Sequence, residues 1–121
     1  MELQILVQDF TVCKPKTAAG IDLSREFCFV GKTDDELSLV CETQFAPAET
    51  TAREDGWKAM RIVGMLDFSL VGILAGIAGI LAENGISIFA VSTYNTDYIL
   101  VKREVLEKAT LVLKQKGYTI L

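Results

Sequence analysis

The first half of the chain carries its apolar residues in short runs that are typical of strands. Three such runs predict strands, at residues 3–13, 27–30 and 36–42. Residues 14–25 and 44–56 contain Pro, Gly and many polar side chains, so they are predicted to be loops. No segment before residue 57 has the periodicity of a long helix.

The second half of the chain is more regular and predicts alternating strands and helices. The predicted elements are a strand at 57–65, a helix at 69–84, strands at 86–93 and 98–102, a helix at 103–116 and a strand at 118–121. Gly85 and Gly117 follow the two helices where a left-handed residue usually ends a helix. The order β-α-β-β-α-β predicts an α+β fold of the ferredoxin-like type, an antiparallel sheet with both helices on one face.

The first predicted helix is apolar around almost its whole circumference. One stripe contains Leu74 and Leu81, and a second contains Ile73, Ile77 and Ile80. A helix of this kind has to be covered on two sides, and one sheet covers only one of them. We therefore expect a second copy of the chain on the other side. Folding of the N-terminal half over the helix is the alternative.

Three glycines, Gly72, Gly76 and Gly79, lie in the same predicted helix. Their spacing and position differ from the Gly-rich turn of dinucleotide-binding folds, and a hairpin rather than a parallel strand is predicted next. Glycine inside a helix costs about 1 kcal/mol relative to alanine. Close packing of the helix on a neighbour would offset this cost.

The composition narrows the possible classes of function. The 121-residue chain suits one compact domain or two small ones closely joined, and its net charge of −4 gives no basic surface for nucleic acid. It contains no histidine, which removes the commonest general base and metal ligand. The uncharged stretch at residues 68–82 is shorter than the roughly 20 residues that cross a bilayer. We therefore expect no metal, no cofactor and no membrane-spanning segment.

The cysteines point to a reducing compartment. Cys13, Cys28 and Cys41 are spaced too widely for a CxxC zinc motif, and their odd number favours reduced thiols. Free cysteine is most often a small, buried, apolar residue, so we expect all three in strand cores. The first residues lack the basic and apolar regions of a signal peptide. Together these features predict a cytoplasmic protein.

Catalytic chemistry has little support in the sequence. The acidic run Asp34–Glu36 is typical of a solvated hairpin turn, and a metal site built on it would need ligands from elsewhere. No nucleophile has a base evident beside it. An acid-dependent hydrolase, which would need paired carboxylates in a cleft, is the enzyme alternative.

Three short segments carry polar groups that suit a free amino acid. Asp67 and Ser69 lie where a strand meets a helix, whose first amides form a carboxylate site unless one of these side chains caps them. Asp97 lies in a turn, where it either stabilises the turn or meets a cationic group of a ligand. Ser87 lies beside the backbone of a strand edge.

The same segments resemble a known family. Gly-Ile-Leu-Ala, followed by Leu-Ala-Glu-Asn-Gly-Ile-Ser-Ile-Phe-Ala-Val-Ser-Thr-Tyr-Asn-Thr-Asp-Tyr-Ile-Leu-Val-Lys, resembles the ACT domains of the CASTOR-like group, which includes bacterial standalone proteins and the animal arginine sensors. In the first half, Thr-Asp-Asp-Glu-Leu-Ser-Leu-Val-Cys resembles the hairpin of the same group. The similarity extends from Glu2 to Gly117.

The resemblance implies a reduced, mostly β, ACT-like unit at residues 1–56 and a complete ACT domain at 57–121. ACT domains generally bind small effectors, mostly amino acids, where two domains meet. By resemblance, the ligand-binding positions are Leu66, Asp67, Thr93, Tyr94, Thr96 and Asp97, with Ser87 and Ile88 supplied by the partnering unit. Because the chain is much shorter than the arginine sensors, a homodimer would supply the second unit.

One position departs from the pattern of the family. Asp67 stands where the arginine-binding unit has glycine, and its carboxylate would either favour a cationic ligand or repel the carboxylate of the ligand. The sequence thus predicts an amino-acid sensor, in which ligand binding favours one dimer arrangement that a downstream protein reads. A ligand-free dimerisation or interaction module is the alternative.

Overall fold

The computed structural model describes residues 1–64 and 70–121. These residues form eight strands and two α-helices. The strands are β1 (Glu2–Ile5), β2 (Phe10–Pro15), β3 (Phe29–Lys32), β4 (Leu37–Glu42), β5 (Thr50–Ile62), β6 (Phe89–Ser92), β7 (Asp97–Lys102) and β8 (Thr119–Ile120). The helices are α1 (Ile73–Glu83) and α2 (Leu106–Gln115). This mixture confirms the predicted α+β class.

The chain groups into two compact units. Gln8–Trp57 form the N-terminal unit, and Met1–Val7 together with Lys58–Leu121 form the C-terminal unit. The boundaries drawn from the sequence, 1–56 and 57–121, instead place the first residues with the N-terminal half. Leu3 explains the difference, because its side chain is fully buried in the core of the C-terminal unit.

The N-terminal unit contains a sheet of order β3-β4-β2-β5, in which neighbouring strands are antiparallel. Cys13 on β2 and Cys41 on β4 are buried, as expected for small apolar core residues, whereas Cys28 precedes β3 and is half-buried. Within residues 8–57, all of which the structure describes, the only helical segments are single 3₁₀ turns at Ala18–Gly20 and Thr43–Phe45.

The C-terminal unit contains a sheet of order β8-β1-β5-β7-β6. Apart from β1, its elements follow the predicted β-α-β-β-α-β pattern, and the ferredoxin-like fold is confirmed. The additional strand β1 runs antiparallel to β5, with Leu3 opposite Ile62, and parallel to β8, with Leu3 opposite Ile120. It therefore adds one parallel pair to a sheet that the sequence predicts to be antiparallel.

Two helices cover one face of this sheet. Alternating residues of each strand point to that face, as Met60 and Ile62 do on β5. Spacings of three and four residues align the buried side chains of each helix along one stripe. The core contains Leu3, Met60, Ile62, Ile77, Leu81, Ile86, Ile99, Val101, Ala109, Val112 and Leu113.

Several element boundaries differ from the sequence prediction. The strand predicted at 3–13 is two strands, β1 and β2, separated by a bend at residues 6–9 that contains the polar pair Gln8-Asp9. β5 begins at Thr50, inside the predicted loop 44–56, because its first residues pair with β2. The helix predicted from Arg103 begins with a single 3₁₀ turn before α2.

The start of α1 also differs from the prediction. The helix begins at Ile73, four residues after Ser69. Gly72 precedes it with a φ of 79°, a left-handed conformation that a residue with a side chain adopts only with strain. The N-cap residue is therefore Gly72, and the capping expected of Asp67 or Ser69 is not tested. Both of those residues lie outside the described part of the chain.

Small residues line the exposed side of α1. Ala75, Gly76, Gly79 and Ala82 are all exposed. A Cβ atom added to Gly76 would lie 3.4 Å from the hydroxyl oxygen of Tyr118, whereas one added to Gly79 would meet no atom within 4 Å. A contact of 3.4 Å with the end of a flexible side chain is an ordinary one, so among the described residues close packing requires neither glycine. The second copy expected on this face stays a prediction.

One buried hydroxyl group fixes the β6–β7 hairpin against β5. Thr96 is 6% exposed, and its Oγ1 donates a hydrogen bond of 2.8 Å to the carbonyl of Ile62. The turn closes with a bond of 2.9 Å from Thr93 N to the carbonyl of Thr96. The turn is thereby held at the end of β5.

The hairpins of the two units have the same register. Phe29 pairs with Val40 in the first hairpin, and Phe89 pairs with Leu100 in the second, so the interval is 60 residues on both strands. Both turns close with an N–H···O bond of 2.9 Å. β4 and β7 also have the same sequence of half-buried and buried positions. The N-terminal unit therefore repeats the hairpin of the C-terminal unit.

Replacing Gly79 by alanine is expected to stabilise the protein by about 1 kcal/mol, because alanine favours the helix and its methyl group meets no neighbour. Urea unfolding measures the change. Gly72→Ala is the matched control, since the φ of 79° should make it destabilising by about 1–2 kcal/mol. A destabilising effect of Gly79→Ala, or weaker self-association, would show that a second copy packs on this face.

Replacing Thr96 by valine is expected to destabilise the protein by about 1–3 kcal/mol, because the carbonyl of Ile62 loses its buried donor. Thr110→Val is the control, since the hydroxyl of Thr110 donates to the carbonyl of Glu107 in an exposed bond. That change should stay within about 0.5 kcal/mol of the wild type. Equal effects of the two substitutions would show that the Thr96 bond does not fix the hairpin.

Candidate functional site

An open cavity of about 330 Å³ lies in the C-terminal unit, where the start of α1 meets the turn between β6 and β7. Its size falls within the range of small-molecule pockets, about 300–1,000 Å³. The helix side contributes Leu70, Gly72, Ile73, Leu74 and Ala75, and the hairpin side contributes Ser92, Thr93, Tyr94, Asn95, Thr96 and Asp97.

The helix side of the cavity presents backbone amides. The N–H groups of Ile73, Leu74 and Ala75 have no acceptor within the helix, because the first bond of α1 runs from Gly76 N to the carbonyl of Gly72, at 2.9 Å. Gly72 has no side chain with which to cap them. The start of α1 therefore combines hydrogen-bond donors with the positive end of the helix dipole, an arrangement that binds carboxylates and phosphates.

The hairpin side presents hydroxyl groups and one carboxylate. Ser92 and Thr93 are exposed, whereas the hydroxyl of Thr96 is buried and donates to β5. Asp97, the first residue of β7, is half-buried and pairs with Ser92 across the hairpin. Asp97 is the only charged residue among the described lining residues. This side of the cavity therefore favours a cationic group.

Two large, partly apolar side chains of the cavity lining are exposed. Leu70 is 52% exposed and Tyr94 is 76% exposed, and both residues line the cavity. Exposed apolar side chains of this size gain free energy when a ligand or a protein surface covers them. The cavity thus offers an anion site at the helix, a carboxylate at the hairpin and exposed apolar area.

The structure brings four of the predicted ligand-binding residues to this cavity, namely Thr93, Tyr94, Thr96 and Asp97. Outside the described residues lie Leu66, Asp67 and Ser69, so their predicted role is not tested. The turn around Asp97 was recognisable in the sequence because polar residues interrupt two apolar strands there.

Ser87 and Ile88 do not belong to the cavity lining. They precede β6, where Ser87 is exposed and Ile88 is half-buried against the core of the unit. By resemblance they belong to the site of a partnering unit, and that assignment stays a prediction.

The helix start was predicted as an anion site, but it lies four residues later than expected. The expected helix start at Ser69 placed residues 70–75 inside the helix, so Leu70 and the amides after Gly72 were not candidates. Gly72 was the one residue in the sequence that could have indicated the true helix start, because a glycine just before a strongly apolar helix suits a left-handed N-cap. Ser92 and Asn95 on the hairpin side were also not among the predicted ligand-binding residues.

The predicted acidic run forms a turn. Asp34 and Asp35 lie between β3 and β4 and are exposed, as expected for solvated turn residues. In the part of the chain that the structure describes, no three Cys, Asp or Glu side chains are arranged to hold a metal ion. None of the helices formed by residues 1–64 and 70–121 is long and apolar enough to cross a membrane.

Solved structures share this fold. An Agobacterium tumefaciens protein is 31% identical, with 99% of this chain and 91% of that chain covered and a TM-score of 0.87. A Vibrio cholerae protein of unknown function is 26% identical, with 94% and 88% covered and a TM-score of 0.72. The regulatory subunit of aspartate kinase from Thermus thermophilus is 14% identical, with 93% and 95% covered and a TM-score of 0.63. No curated protein matches the chain.

A family model described as the ACT domain matches residues 52–115, which is more than half of the chain. The matched residues include the whole described lining of the cavity. The narrower resemblance to the CASTOR-like group stays a prediction. The fold and the match together show that this chain belongs to the ACT domain family.

Proposed function

We propose that this protein binds a free amino acid in the cavity at the start of α1 and acts as a regulatory sensor. Membership of the family supports the class of function, because the ACT domain is a regulatory domain that generally binds small-molecule effectors such as amino acids. One observation carries the proposal. The first residues of α1, whose amides have no acceptor within the helix, and Asp97 line the same cavity.

A zwitterion has complements on both sides of this cavity. The carboxylate of the ligand accepts hydrogen bonds from the first amides of α1. Its ammonium or cationic side-chain group pairs with Asp97, and its apolar atoms contact Leu70 and Tyr94. The absence of Lys and Arg from the described lining disfavours ligands with a second carboxylate.

Regulation requires that two arrangements of the protein differ in their affinity for the ligand. In our proposal these are arrangements of a homodimer, in which Ser87 and Ile88 of the partner subunit close the open side of the cavity. The exposure of Leu70 and Tyr94 supports this step, because both side chains become buried on closure. Ligand binding then favours the closed dimer, and a downstream protein reads the difference.

We also propose that Gln8–Trp57 is a reduced ACT-like unit. Its hairpin has the register of the β6–β7 hairpin. The 3₁₀ turns Ala18–Gly20 and Thr43–Phe45 follow its first and third strands, the positions that α1 and α2 occupy in the C-terminal unit. The proposed role is regulatory rather than catalytic, and the odd number of cysteines favours a cytoplasmic location.

Thermal unfolding against the twenty amino acids tests the ligand. A ligand at about 100 times its Kd should add roughly 2.7 kcal/mol of stability, which raises the Tm by several degrees. Asp97→Ala should remove this shift, because the cationic group of the ligand loses its partner. Asp35→Ala, in the matching turn of the β3–β4 hairpin, is the control and should retain it.

The outcome also separates the two classes of function. If no amino acid raises the Tm at millimolar concentration, the cavity is not an amino-acid site. A self-association constant that no amino acid changes, measured by sedimentation, would then favour the ligand-free interaction module. A shift that persists in Asp97→Ala would overturn the role of that residue alone.

Removal of the α-carboxylate from the ligand tests the helix start. The corresponding amine should lose the Tm shift that the amino acid produces, because the amides of α1 then have no anion to bind. An amine that stabilises the protein as strongly as the amino acid would exclude the start of α1 from the site. The same amine measured with Asp97→Ala shows whether any remaining shift depends on the carboxylate of Asp97.

A further inference from the structure

Three thiols share one face of the sheet in the N-terminal unit. Cys13 on β2 and Cys41 on β4 are 3% and 5% exposed, and the half-buried Cys28 packs against them. All three are free cysteines. The distances between them depend on the register of the strands, which the hydrogen bonds define.

The register places Cys28 opposite Cys41. Phe29 pairs with Val40 at the start of β3, and the same register continued by one residue sets Cys28 across from Cys41. The two cysteines also line the same small cavity. The continued register thus puts the two cysteines on the same face of the hairpin, one position beyond the last strand pair.

The turn bond shows which kind of cross-strand pair this is. The bond from Thr33 N to the carbonyl of Glu36, at 2.9 Å, marks these two residues as a hydrogen-bonded pair. Bonded and non-bonded pairs alternate along an antiparallel ladder. Cys28 lies five residues before Thr33, so the pair Cys28–Cys41 is a non-bonded one.

Non-bonded pairs have the geometry that a disulfide needs. Their Cα atoms lie about 4.5 Å apart, and disulfides span Cα distances of about 4.4–6.8 Å. Cys13 has a different relation to Cys41, because Thr11 is the residue opposite Cys41 and Cys13 lies on the diagonal. Diagonal neighbours are about 7–8 Å apart, which is beyond the usual reach of a disulfide.

We propose that Cys28 and Cys41 form an oxidisable thiol pair that closes a disulfide across the hairpin and leaves Cys13 reduced. In the first step, the sulfur of Cys28 attacks hydrogen peroxide, the O–O bond breaks, and one water leaves as Cys28 becomes a sulfenic acid. In the second step, the thiol of Cys41 attacks that sulfur and a second water leaves. Two thiols are oxidised by two electrons, and one peroxide is reduced to two waters.

The surroundings assign the first step to Cys28 and favour a small oxidant. Cys28 is half-exposed to solvent, whereas Cys41 is buried. Burial raises the pKa of Cys41 to about 12, and the thiols of Cys13 and then Cys28 add to the rise. Burial and the nearby Asp22 also raise the pKa of Cys28. Because the thiolate is the attacking species, both raised pKa values make the oxidation slow. The cavity beside the thiols holds about 10 Å³, roughly the space of one water. This cavity is far too small for glutathione disulfide, whereas a small oxidant such as hydrogen peroxide can meet Cys28 at its solvent-exposed part.

The test oxidises the purified full-length protein with hydrogen peroxide and maps the disulfide by peptide mass spectrometry after the remaining thiols are alkylated. We expect the loss of two hydrogens, a peptide that joins Cys28 to Cys41, and an alkylated Cys13. Closure of the hairpin should raise the Tm by several degrees, and a reducing agent should reverse the change. Glutathione disulfide should produce the same bond much more slowly.

Cys13→Ser is the matched control, because it removes the diagonal thiol and keeps the opposed pair. It should still lose two thiols, whereas Cys28→Ser should form no intramolecular disulfide. A mapped bond that contains Cys13, or survival of both opposed thiols while the folded protein is exposed to excess peroxide, would overturn the proposal. The wild-type map decides between these outcomes even if a variant fails to fold.

Discussion

The C-terminal unit depends on the burial of one apolar face of its sheet beneath two helices. β5 lies between β1 and β7 in this sheet, and its residues Met60 and Ile62 are fully buried. Leu3, near the N-terminus, is buried in the same core. Ile77 and Leu81 are buried there too, and they fix the position of α1. Once α1 is held in this way, its first turn lies beside the β6–β7 turn, and the cavity forms between them. The candidate site is thus a consequence of how the core closes.

Local patterns in the sequence were sufficient for most of this architecture. The hydrophobic period of 3.6 residues identified both helices, and the polar turn between two apolar runs identified each hairpin. The pairing of β1 was not predictable in the same way, because a local pattern does not specify which distant strand becomes the neighbour. The start of β5 at Thr50 was hidden for a related reason. Its first residues are polar and largely exposed, and they are a strand because they pair with β2.

The candidate site was half predictable. The hairpin residues from Thr93 to Asp97 were predictable, because a polar turn between two apolar strands is visible in the sequence itself. The helix side acts through backbone amides, and these become available only where the helix begins. That position depends on the left-handed conformation of Gly72. The sequence alone does not distinguish a glycine at the N-cap of a helix from a glycine inside the helix. The opposition of Cys28 and Cys41 was hidden for another reason, since it follows from the register and the parity of the ladder.

The repeated hairpin bears on the history of the gene. Two hairpins that arose separately would not be expected to keep one interval, one turn bond and one burial pattern along both strands. A duplicated ancestral segment would give both units the same interval, turn bond and burial pattern. The C-terminal unit carries the helices and the cavity, whereas the N-terminal unit carries a face of thiols. One chain thus holds two surfaces of different chemistry, each on its own copy of the same hairpin.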